Sequence, residues 1–185
     1  MASILPLINH GHLDFGENKV GEATDKWQDT KQQFDNLNLH MIGKLQTNKV
    51  KQAISLFDFI HSVDNYKLAE KIATEQIKQK KKIKLFIQVN IGEEAQKNGI
   101  EISTLENFYE CCINDFGLDV VGLMCLPPNN QDASSYFLKM KDVHARLRLK
   151  ELSMGMSNDY LKAIKFNSSY LRIGSKIFGQ RNTIS

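Results

Sequence analysis

The sequence predicts an α/β fold whose parallel strands close into a (β/α)8-type barrel. Seven short runs of apolar, β-branched or aromatic residues recur along the chain. Most are near-continuous rather than alternating, the pattern of strands covered on both faces. Helical patterns separate them, and strand centres fall roughly 20–35 residues apart, the size of a βα unit. Seven or eight such units close most naturally into a barrel, with an open doubly wound sheet as the alternative. The 185 residues contain no stretch that reads as a linker, so a single domain over 1–185 is expected.

The predicted strands are Leu13–Gly16, Leu39–Gly43, Phe57–Val63, Lys84–Asn90, Asp119–Leu126, Glu151–Met156 and Tyr170–Gly174. Between the first two, segment 17–34 is rich in Lys, Glu, Gln and Ala and reads as a helix, as does 46–56. Leu68, Ile72 and Ala73 share one helical face, with Glu70, Lys71 and Glu75 on the other. Ser103 precedes Glu106 by three residues, a capping-box start to a helix through Phe108 and Tyr109. Tyr136, Met140, Val143 and Leu147 step by 4, 3 and 4, a helical stripe.

Composition narrows the class. Hydrophobic residues make up 42% and charged residues 24%, a globular balance. No apolar run approaches the ~20 residues of a membrane span, and the first residues lack the basic region of a signal peptide. The odd set Cys111, Cys112 and Cys125 argues against a disulfide framework and for a reducing cytoplasm. His10, His12, His40 and His61 lack metal-ligand spacing, so no metal site is expected. The net charge of +3 favours no partner. The basic run Lys78–Lys84 falls at a predicted helix C-terminus, where cations suit the helix dipole; no aromatics interleave it, which counts against nucleic acid.

In parallel α/β folds function gathers at the C-terminal ends of strands. Two of these ends read as halves of one phosphate site. Ser157 stands where a helix begins, able to cap it or to offer its hydroxyl to an anion. Gly174-Ser175 follows the adjacent predicted strand, where glycine lets backbone N–H groups approach an anion. Arg172 lies inside an apolar run between Leu171 and Ile173 and must be paired there, either with a ligand or in a structural ion pair.

Read together, these strand ends carry a resemblance. FGEN at 15–18, HMIGKLQTNK at 40–49, IHSVDN at 60–65, QVN at 88–90, GLM at 122–124, SMGMSND at 153–159 and RIGSKIFGQR at 172–181 occur in one order. The ordered set, spanning essentially the whole chain, closely resembles the pyridoxal 5′-phosphate (PLP) homeostasis protein family. That family has the barrel of the alanine racemase N-terminal domain.

The resemblance implies a cytoplasmic, non-catalytic PLP carrier that balances vitamin B6 and amino-acid pools. Its implied partners are PLP and the PLP-dependent apoenzymes that receive it, with no nucleic acid or membrane, as a monomer or weak dimer. Ser157, Gly174 and Ser175 match positions around the phosphate. Arg172 matches the arginine facing the pyridine nitrogen. Asn18, His40, Asn90 and Met124 match residues lining the pocket. An amino-acid racemase is the alternative, but racemases of this type carry a second, β-rich domain with a catalytic tyrosine. A barrel remnant without function is the other.

The sequence departs from the family pattern in places. Family members carry the Schiff-base lysine on a first strand, in a segment like AVSKTK, and residues 3–9 here resemble the helix that follows that strand. The expectation is therefore a barrel truncated by its first strand, with seven βα strands, two unpaired edges and weaker PLP binding. Gly21 stands where the family usually has glutamine, and Asn167 where it often has glycine.

Overall fold

The computed structural model describes residues 1–94, 98–129 and 131–179. Seven parallel strands form one sheet in sequential order. They are β1 (Asp14–Glu17), β2 (Asn38–Met41), β3 (Phe59–Val63), β4 (Lys84–Val89), β5 (Asp119–Cys125), β6 (Glu151–Met156) and β7 (Tyr170–Arg172). The helices are α1 (Leu5–Asn9), α2 (Val20–Gln33), α3 (Val50–Leu56), α4 (Tyr66–Gln79), α5 (Leu105–Glu110), α6 (Ala133–Arg146), α7 (Tyr160–Lys165) and α8 (Ser175–Phe178). Every predicted strand is present. The last is shorter than its apolar run, because the chain turns into α8 immediately after Ile173. None of the described helices is long and apolar enough to cross a membrane.

The strand sequences explain the layers. β3 is buried along its whole length, as a continuous apolar run requires. The main core lies between sheet and helices: Trp27 of α2, Phe57 after α3, Ile72 of α4, Phe108 of α5 and Phe137 of α6 are all buried there. A second, smaller cluster of Phe59, Phe86 and Met124 fills the inside of the sheet, with Tyr170 packed on it. That the sheet curls is shown by a side-chain bond between His61 on β3 and Ser153 on β6, at 2.9 Å. Among the described residues no backbone pairing joins β7 to β1, so the barrel is nearly closed, with free edges at those two strands.

Helix ends refine the sequence reading. Asn65 caps α4 by accepting the Leu68 N–H, and Lys80 ends that helix in the left-handed conformation. The basic run is thus a helix terminus, as expected. Within it Lys81 donates to the carbonyls of Ser55 and Phe57, closing the end of α3, while Lys84 enters β4 and lies over the Phe59 ring. The Ser103–Glu106 capping box does not form. Ser103 lies inside a 3-10 turn, Ile102–Thr104, that leads into α5, so its backbone is already helical and cannot adopt the extended cap geometry. Of the predicted helical stripe, Met140 and Val143 are buried in α6, while Tyr136 and Leu147 are only partly buried against the core; Phe137, outside that stripe, is the buried aromatic of this helix. All three cysteines are free; Cys112 and Cys125 are buried, and burial pushes both thiols up to about 12.

Gly155 is the one strand glycine with positive φ, at +94°. A Cβ there would stand 2.6 Å from the Ala163 Cβ, so the residue sets how closely α7 packs on β6. Gly155→Ala combines a strained backbone with an overpacked contact and is expected to cost about 3 kcal/mol. In contrast, Gly21 has open space around its Cβ position and lies in the first turn of α2, so Gly21→Ala should be neutral or stabilise by up to about 1 kcal/mol. Urea unfolding of the two variants checks the contrast.

Candidate functional site

Parallel pairing brings the C-terminal ends of β6 and β7 side by side, with Met156 opposite Arg172. Ser157 follows β6, and Gly174-Ser175 follows β7. The two predicted half-sites therefore meet. The Ser157 hydroxyl oxygen accepts the backbone N–H of Gly174 at 3.3 Å and of Lys176 at 3.4 Å. The expected role of Ser157 as cap of its own helix is corrected. Asp159 is the residue before α7, and its carboxylate accepts the Met156 N–H at 2.6 Å. Ser157 lies two residues before the cap position of α7 and faces the start of α8 instead. The Ser175 hydroxyl makes no hydrogen bond among the described residues and is exposed.

Arg172 points from β7 into the barrel. It donates to the Ser153 hydroxyl at 2.6 Å and to the Cys125 carbonyl at 2.8 Å. No carboxylate bonds it among the described residues, so the ion-pair alternative is excluded there. Burial lowers its pKa from the ordinary arginine value. Two of the five guanidinium N–H groups are engaged, leaving donors for a further acceptor.

Behind Arg172 a polar column runs through the barrel. Ser153 meets His61 Nδ1 at 2.9 Å, His61 Nε2 meets His40 Nδ1 at 2.9 Å, and His40 Nε2 meets Asp14 Oδ1 at 3.0 Å. Each imidazole is clamped by a phenyl ring: His40 stacks on Phe59 at 4.3 Å and His61 on Phe86 at 4.1 Å. Tyr170 packs against both histidines. Asn38 adds a bond to Asp14 at 3.1 Å. Burial lowers the pKa of His40, against the opposing pull of Asp14. Burial also holds His61 well below the ordinary histidine value, with His40 and Arg172 adding to the effect.

The remaining expected site residues fall in three places. Met124 is fully buried in the interior cluster, next to the Cys125 carbonyl that accepts from Arg172. Asn90 is committed to its own loop: its amide donates to the Glu94 carbonyl and accepts the Glu94 N–H. Asn18 lies in a separate cleft of about 490 Å³ with Lys19, Met41, Lys44, Gln46 and Lys49, which none of the other expected residues lines. Among the described residues no group of three or more His, Cys, Asp or Glu could hold a metal. Gln180 and Arg181 of the final motif lie outside the described residues.

Comparison with known proteins bears on this geometry. The family model described as alanine racemase, N-terminal domain, matches residues 1–182. A pyridoxal phosphate homeostasis protein of Aquifex aeolicus is 36% identical over 96% of this chain and 81% of its own length. The chain belongs to the pyridoxal phosphate homeostasis proteins of the alanine racemase N-terminal domain family.

PipY of Synechococcus elongatus, solved without PLP, superposes with a TM-score of 0.90 at 32% identity, covering 96% of this chain and 87% of that one. Solved with PLP bound, PipY gives 0.87 at 31% identity over the same shares. Alanine racemase from Corynebacterium glutamicum, at 14% identity and a TM-score of 0.75, shares the fold and covers 98% of this chain but 52% of that one.

In this member of the homeostasis family, sequence reasoning missed Asp14, His61 and Ser153. His61 was visible only as one of several scattered histidines. What could have exposed it is period-two alternation: Phe59 and His61 share one face of β3, and a histidine in a run read as a strand covered on both faces needs a partner.

The two histidines set a pH response. Folded pKa values below 6.5 mean that the unfolded chain binds more protons, so stability falls as pH drops below about 6.5, until the folded values are reached. The melting temperature should decline as pH is lowered from about 6.5 to 5, and the decline should be shallower in His61→Phe. An unchanged slope in that variant would assign the response to other groups.

Proposed function

We propose that this chain is a non-catalytic carrier that binds PLP in the cytoplasm, as one domain and as a monomer or weak dimer, and delivers it to PLP-dependent apoenzymes. The observation that carries the reading is the buried guanidinium of Arg172 beside the convergent N–H groups at Ser157. A cation held, among the described residues, by two neutral acceptors suits an electron-rich partner, and the N–H groups of Gly174 and Lys176 converge on one oxygen as they would on a phosphate oxygen. The donor set therefore fits PLP. Ser157, Gly174 and Ser175 hold the phosphate, Arg172 donates to the pyridine nitrogen, and Met124 and His40 form the floor beneath.

Bound PLP supplies an electrophilic aldehyde and a ring able to accept electron density. Arg172 limits the second property. A guanidinium donates a hydrogen bond but does not give up its proton, so the ring nitrogen stays unprotonated and the ring withdraws electrons weakly. That suits a carrier, although racemases of this barrel type share the feature.

Titration calorimetry should show saturable binding of PLP to the purified protein. Arg172→Ala and Ser157→Ala should each weaken it about tenfold or more. Borohydride treatment followed by peptide mass analysis should recover the ligand without a modified lysine in this cluster. Absence of saturable binding would overturn the reading. So would conversion of L- to D-alanine by the pure protein, which would make it an enzyme.

A further inference from the structure

The protons in the column between Arg172 and Asp14 have a forced direction. A guanidinium has donors and no acceptor, so Ser153 Oγ must accept from Arg172. The single Ser153 proton is then free to go to His61 Nδ1. His61 consequently keeps its own proton on Nε2 and donates it to His40 Nδ1. His40 in turn carries its proton on Nε2 and donates to the Asp14 carboxylate. Reversing the histidine tautomers would aim the bare lone pair of His40 Nε2 at a carboxylate and leave Ser153 with two donors and no acceptor. The stacking phenyl rings of Phe59 and Phe86 prevent either imidazole from swinging away.

We propose that Asp14, His40, His61 and Ser153 are positioning residues for ring recognition. They turn the Ser153 lone pairs toward Arg172 and so hold the guanidinium in place to donate to an unprotonated ring nitrogen, which selects a pyridine over a carbocycle of the same shape. The inference deepens the PLP reading above and rests on it. Its physical basis is preorganisation. An arginine side chain loses considerable rotamer freedom when it is ordered, and a relay that orders it beforehand removes that cost from binding.

Two measurements test the relay. Nitrogen-15 spectra of the histidine rings report tautomers directly; His40 and His61 are both expected as Nε2–H, and an Nδ1–H ring at either position would overturn the proposed direction. The second measurement compares affinity for PLP with that for its 1-deaza analogue, in which CH replaces the ring nitrogen. The unaltered protein should prefer PLP by about tenfold. Ser153→Ala and His61→Phe should erase that preference while leaving affinity for the deaza analogue within about twofold, and Ser153→Thr, which restores the hydroxyl, should recover it. His61→Phe keeps a ring to stack on Phe86, and matched unfolding curves exclude a folding defect. Full preference retained in Ser153→Ala would overturn the relay while leaving PLP binding intact. Binding of both compounds without preference in the unaltered protein would do the same. Binding of neither would overturn both proposals.

Discussion

A guanidinium inside a barrel with no carboxylate among the described residues to pair it is the constraint on which this structure turns. Removing such a cation from water costs several kcal/mol unless its donors are met. Here the first acceptors are a serine hydroxyl and a main-chain carbonyl, both neutral. The hydroxyl accepts well only if its own proton is drawn elsewhere, which is what the two imidazoles and Asp14 accomplish. The negative end of the column lies far along the chain from the positive end, with Asp14 on the first strand and Arg172 on the last. The intervening groups stay neutral because burial opposes a further charge.

The same column bears on how the sheet holds its shape. Backbone pairing runs from β1 to β7 and stops, so the two edge strands gain nothing from each other through the main chain. Side chains make the connection instead. Asp14 ties β1 to β2, His40 ties β2 to β3, His61 crosses the interior to β6, and Ser153 reaches β7. A sheet with free edges has no topological need to stay curled. This one is braced across its interior by polar bonds and filled by Phe59, Phe86 and Met124. The bonds that brace the sheet and the bonds that hold Arg172 therefore draw on one set of residues.

Much of the fold was legible in the sequence because burial on both faces leaves a strong mark. The runs around Ile60, Phe86 and Leu123 carry charge only near their N-terminal ends, at Asp58, Lys84 and Asp119, and each became a strand at its expected place. Helix boundaries were less legible. A Ser-x-x-Glu pattern at 103–106 names a capping box only if the chain enters in extended form, and a preceding 3-10 turn removed that condition. Of the residues expected in the site, Ser157, Gly174 and Arg172 are brought together because they stand at the ends of neighbouring parallel strands. Asn90 shows the limit of that logic. It stands at a strand end as well, but its amide closes its own loop, a local bond that no strand-level pattern encodes.

The histidines show why the remainder was not legible. His40 and His61 are 21 residues apart, and Ser153 lies 92 beyond His61, so no spacing rule relates them. Their relation appears only when β3 and β6 face each other across a curled sheet, a property of strand number and tilt rather than of local sequence. Yet each residue alone violated the expectation for its strand: a buried histidine in β2, another in β3, a buried serine in β6 and a half-buried arginine in β7. Four inward polar groups in four strands of one barrel cannot each find a separate partner in so small a space. The economical solution is to satisfy one another, and the order in which they do so follows from which can donate and which can only accept. Polar residues breaking an inward apolar pattern are thus best read as a set, because their hydrogen-bonding capacities constrain one another even when their sequence positions do not.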